Sequence, residues 1–172
     1  MAYGQLEFIT SASTASGNTL EITDCFNADY DIYMIKSYFN CSSENASRFR
    51  VINTAGSVQT GALYTYAEQG IMSATADGQN KTTSTTGFNN IAVVESDYGA
   101  NAISYLFNPY VSGVYPFMIS QSISMYVNGA TVTTGGFKFI GAWAGGSEIA
   151  GIQLSEQNGI ASVLEMKVYG IK

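Results

Sequence analysis

The chain contains no histidine, and only two prolines and two cysteines among its 172 residues. Without imidazole there is no Ser-His-Asp or Cys-His nucleophile pair, and most zinc and copper sites are excluded. The two cysteines, Cys25 and Cys41, are too few for a disulfide framework. They read as buried thiols that can meet only if the strands holding them are neighbours. Charge is scarce as well, at 12% of residues, about half the usual share. The net charge of -6 leaves seven scattered basic residues, which excludes a nucleic-acid surface, since phosphate binding needs clustered Lys and Arg. Apolar runs such as Tyr115 to Ile119 fall far short of the ~20 residues of a membrane-spanning helix. The start, Met1 to Phe8, lacks the basic and apolar regions of a signal peptide, so synthesis in a cytoplasm is expected.

What the chain does have is glycine and aromatics, with 18 Gly, 12 Tyr and 9 Phe, a turn-rich and β-leaning composition. Leu164, Met166 and Val168 alternate with Glu165, Lys167 and Tyr169, the period of a half-buried strand, and Gly170 is expected to end it. Its best partner is the long run Tyr30 to Phe39, apolar on both faces in places. Further strands are expected over Asn18 to Asp24, Arg48 to Asn53, Asn90 to Ser96, Ala102 to Asn108, Pro116 to Asn128, Ala130 to Ile140 and Ile149 to Leu154. The runs at Tyr30 and Arg48 suggest a hairpin, and Asn128-Gly129 suits a type I′ turn. Ala62 to Gln69 fits either one or two helical turns or a bent extended segment. Thr82 to Gly87 reads as exposed loop or edge.

Roughly nine or ten short strands at spacings of about 8 to 15 residues, with no amphipathic helix of three turns, predict an all-β chain: an antiparallel, jelly-roll-like β-sandwich. Residues 1–17 read as an extended N-terminal arm and 18–172 as a single sandwich domain, a length that buries a core unaided.

The candidate chemistry is thin, and no catalytic, cofactor-binding or metal-binding residue is assigned. Glu95 and Asp97 share one face of a strand end but read as solvated acids flanking a turn. Asp24, Asp29 and Asp31 match no calcium loop. Thr133 to Gly136 and Ala144 to Gly146 lack the Lys and helix start of a phosphate loop and read as turns. Trp143 with Tyr98, Tyr110 and Tyr115 offers an aromatic platform for a host-surface glycan, or equally core or a subunit contact.

Three stretches, Asp24-Cys-Phe-Asn-Ala-Asp-Tyr-Asp-Ile-Tyr-Met-Ile35, Arg48-Phe-Arg-Val-Ile-Asn-Thr-Ala-Gly56 and Val163-Leu-Glu-Met-Lys-Val-Tyr-Gly-Ile-Lys172, together resemble small jelly-roll-like virion structural and appendage proteins of tailed phages of aquatic bacteria. Residues between about Gly56 and Ala150 carry none of that pattern. The resemblance implies a capsid decoration, cement, fibre or tail-associated protein located on the virion. It further implies a homo-oligomer, a trimer by preference, in contact with other virion proteins and without catalytic residues or cofactor. The alternative expectation is a receptor-binding module for host glycans.

Overall fold

The computed structural model describes residues 4–43, 45–73, 77–94, 98–128, 131–158 and 162–172, the side chains of 126–128 and 131–133 excepted. Among them twelve strands form, and no α-helix. These are β1 (Leu6–Gly17), β2 (Thr19–Ile22), β3 (Ile32–Cys41), β4 (Asn45–Asn53), β5 (Tyr64–Met72) and β6 (Gly78–Thr85). The second half adds β7 (Phe88–Val94), β8 (Ala100–Phe107), β9 (Phe117–Asn128), β10 (Thr131–Trp143), β11 (Ile149–Glu156) and β12 (Ser162–Ile171). All pairings are antiparallel, in an eight-stranded sheet ordered β1-β12-β3-β8-β9-β10-β5-β6 and a four-stranded sheet ordered β2-β11-β4-β7.

The winding follows from where the chain changes sheet. The steps β1 to β2, β3 to β4, β7 to β8 and β11 to β12 all cross the core. Two ribbons are thereby wrapped over one interior, β1/β12 running into β2/β11 and β3/β8 running into β4/β7, which is a jelly-roll arrangement. The hairpins β5-β6 and β9-β10 widen the large sheet beyond this wrap.

Period-two alternation places the core. On β12, Leu164, Met166 and Val168 are fully buried while Glu165 and Lys167 face water, and the strand pairs with β3 from Ser162↔Cys41 to Ile171↔Ile32. Ile35 and Phe39 of the large sheet share the core with Phe49, Val51, Ile152 and Leu154 of the small one. Under the widened part, aromatics fill the interior: Tyr64 and Phe88 meet edge-on at 4.9 Å, and Phe88 and Phe139 at 5.7 Å.

Several expectations are corrected. The arm at 1–17 is largely strand β1, which runs along the free edge of β12 from Leu6↔Ile171 to Gly17↔Ser162; backbone pairing needs no apolar side-chain pattern. β6 is a paired, little-buried edge strand, the second of the two readings open for Thr82 to Gly87, and with β1 it accounts for the excess over ten strands. β5 resolves the open reading at Ala62 to Gln69 as extended. β3 and β4 are no hairpin, since they lie in different sheets; apolar alternation does not tell which sheet a strand joins. Gly170 does not end β12: it pairs with Tyr33, and a Cβ there would stand 2.4 Å from the Tyr30 ring. Gly135 and Gly136 lie inside β10, paired with Met72 and Ile71, so only the Ala144 to Gly146 tract is a turn, with Gly146 at φ +66°. β9 and β10 pair up to Asn128↔Thr131, whereas Gly129 and Ala130, the tip expected as a type I′ turn, lie outside the described residues.

Cys25 and Cys41 are buried and not joined in a disulfide. The Cys25 thiol donates to the Ile22 carbonyl at 3.6 Å and that of Cys41 to the Ser43 carbonyl at 2.8 Å. Burial pushes Cys25 up to about 12, which leaves it without thiolate character at neutral pH.

Leu164→Ala is expected to cost about 2–5 kcal/mol in urea unfolding, as a core truncation does, against less than ~0.5 kcal/mol for Lys167→Ala on the opposite face of the same strand. Equal effects of the two substitutions would refute the assignment of faces.

Candidate interaction surface

The expected glycan platform does not assemble. Trp143 is 1% exposed, packed inside at the end of β10. Gly145 is what admits its ring, since a Cβ there would stand 2.0 Å from the indole. Tyr98 precedes β8 and Tyr110 follows it, so the two lie at opposite ends of the sandwich, roughly 25 Å apart at ~3.3 Å per residue of strand. Tyr98 and Tyr115 are exposed, at 47% and 53%, and Tyr110 is half-buried. Tyr115 lies beside the Gly146 turn, on Tyr110's end of the molecule and not Tyr98's.

Catalytic geometry is no better supplied. Glu95 and Asp97 lie outside the described residues. Among the described residues no three His, Cys, Asp or Glu side chains converge as metal ligands, Asp24, Asp29 and Asp31 included. Two buried acids escaped the sequence reading: Glu156 on β11, whose Oε2 accepts from Asn45 Nδ2 at 2.8 Å, and Glu68 on β5, whose Oε1 accepts from Asn90 Nδ2 at 2.8 Å and Asn80 Nδ2 at 3.4 Å. Oε2 of Glu68 is buried without a hydrogen-bond partner. Desolvation raises the pKa of Glu68 above the ordinary carboxylate value. The signal for its burial was present in the alternation Tyr64, Tyr66, Glu68, which places it on the face of two buried tyrosines.

The two outer faces of the sandwich differ sharply. That of the small sheet is polar and internally bonded: Gln153 Nε2 donates to Glu21 Oε1 at 2.7 Å, Arg48 Nε to Asn89 Oδ1 at 2.6 Å, and Arg50 Nη1 reaches Gln153 Oε1 at 3.4 Å. That of the large sheet is apolar. Register places Leu6, Ile171, Ile32, Phe107, Phe117 and Ala142 in one outward row across six strands. The adjacent row holds Phe8, Tyr169, Met34, Tyr105, Ile119, Ile140 and Ala67. A third contains Lys167, Lys36, Ile103, Gln121, Lys138 and Gln69. Ile140 is 61% exposed and Phe8 57%, and a groove of about 620 Å³ runs between Ile103, Ile119 and Ile140.

β9 makes the inversion plainest. Its apolar positions Phe117, Ile119, Ile123 and Met125 point outward and are exposed, while Ser120 and Ser124 point inward and are buried. Ser120 is satisfied there by the Ser104 hydroxyl at 2.8 Å. Large apolar areas rimmed by polar residues mark contact surfaces.

The sequence matches no family model and no curated protein. Among solved structures, the parasporin-2 Bacillus thuringiensis toxin that recognizes cancer cells aligns with 10% identity and a TM-score of 0.11, over 99% of this chain and 68% of that one, a likeness that carries no argument.

A raised pKa for Glu68 means that the folded state binds its proton more tightly than the unfolded chain does. Stability is therefore lost as pH rises from the ordinary carboxylate value through the raised one. Glu68→Gln is expected to flatten that decline in chemical denaturation between pH 4 and about 7.5; parallel curves for the two proteins would show that the carboxyl is not desolvated.

Proposed function

We propose that this chain is a non-enzymatic structural protein of a tailed-phage virion, a capsid decoration, cement or fibre protein or a tail-associated appendage, that works by burying the outer face of its large sheet. The observation that carries this reading is β9, whose isoleucines and phenylalanine face water while its serines face the core. Fully burying one such side chain is worth about 1.5–3 kcal/mol, so a face with two complete apolar rows is a surface whose stable state is a covered one. The virion is suggested by the resemblance of three stretches, which contribute β3, β4 and β12. An aromatic sugar site draws no support from a buried Trp143 and tyrosines at opposite ends.

Mass spectrometry of purified particles of the phage that encodes the chain is expected to find it in stoichiometric amounts with the other structural proteins. Its absence from intact particles would overturn the placement on a virion.

A further inference from the structure

The groove on the outer face of the large sheet changes character from one end to the other. It crosses β8, β9, β10 and β5 between two outward rows, a length of about 14 Å at ~4.8 Å per strand spacing. Over β8 and β9 its walls are Ile103, Tyr105 and Ile119, and Ile140 follows on β10. Toward β6 the walls turn polar, with Lys138, Gln69 and Gln79. A second hollow of about 350 Å³ shares Ala67 and Ile140 with the groove and adds Lys81, which pairs with Ala67 in register. We infer that the groove is a binding site for a single-chain anionic amphiphile, a free fatty acid. Its alkyl tail lies over Ile140, Ile119 and Ile103, and its carboxylate sits between Lys138 and Lys81. This goes beyond the assembly reading and does not rest on it.

Three considerations select this occupant. The groove holds about 620 Å³, within the ~300–1,000 Å³ of small-molecule sites, which are mostly apolar with a few placed polar groups. The backbone groups of the four strands beneath it are engaged in ladders on both sides. A peptide laid across the rows would therefore set its own N–H and C=O groups against isoleucine without partners, whereas an alkyl chain has none to satisfy. The sign of the headgroup follows from the polar end. Lys138 and Lys81 are exposed and make no ion pair among the described residues, and the acid beside them in sequence register, Glu68, bonds inward to Asn90 and Asn80. Two strand spacings and two residues of rise separate the two lysine backbones by about 12 Å, a gap that two long side chains close on one carboxylate.

Isothermal titration of the full chain with laurate, kept below the concentration at which laurate forms micelles, tests this. One laurate per chain is expected, bound at least ~10-fold more weakly by Lys138→Glu, where attraction becomes repulsion. Ile140→Ser, which removes a wall from the tail, is expected to weaken binding by roughly 10-fold or more. Lys167→Glu lies on the same face but four strands from Lys138, about two screening lengths away, and is expected to change affinity by less than ~2-fold. All three side chains are exposed, so the unfolding midpoint without laurate is expected to stay unchanged. If Ile140→Ser lowers it, Ile119→Ser, at 43% exposure, takes its place. Absence of saturable binding, equal binding of dodecyltrimethylammonium, or an equal loss in Lys167→Glu would overturn the inference. So would capture of the chain by phosphatidylglycerol vesicles without laurate binding, which would give the face to a bilayer surface instead.

Discussion

Everything in this molecule depends on an inequality of sheets: eight strands lie over four. The small sheet supplies Phe49, Val51, Ile152 and Leu154 to the interior, and these meet Ile35, Phe39, Leu164, Met166 and Val168 from the large one. Because side chains alternate along a strand, a slip of one residue in any of these registers would exchange core for surface. The register that fills the interior thus also fixes what the large sheet shows to the outside. Inside and outside are two readings of one constraint.

That constraint explains why the outer face is so apolar. The interior under β8 and β9 accepts serines because Ser104 and Ser120 satisfy each other. Their alternates, Ile103, Ile119 and Ile123, must then point out. Inverting β9 would bury more hydrocarbon in the isolated chain, yet it would move Met118 and the serine pair outward and break the registers with β8 and β10. A sequence that keeps the serines inside and isoleucines outside is consistent with burial at a second, intermolecular level. The small sheet's outer face needs nothing of the kind, since Glu21, Gln153 and Arg50 bond among themselves.

Legibility in the sequence follows the same line. The partnership of β12 with β3 was readable because both are long, β12 alternating strictly and β3 apolar enough on both faces for a central place. So was the all-β class, from turn spacing and the want of helical periodicity. β1 was not, because Thr10 to Gly17 holds its place through backbone bonds to β12 and displays no apolar stripe. The false hairpin of β3 and β4 and the misread Gly170 share a cause: alternation reports that a strand has a buried side, never which strand lies beside it or which ring lies on its glycine. For the surface, Phe117, Ile119, Ile123 and Met125 were visible as one stripe, but alternation alone assigns such a stripe to the core. Trp143 was left open between a platform, a contact and the core, since a tryptophan among glycines shows no burial pattern of its own, and it is core because Gly145 leaves the space its ring occupies.

The charge distribution gives the last step its direction. With so few charges, placing four of seven basic residues on one face leaves the chain strongly polarised. An apolar face without charge discriminates little between partners and orientations, whereas lysines beside it add a charge by which partners differ. Scarcity of charge, the inverted β9 and the clustered lysines thus meet on one face of one sheet.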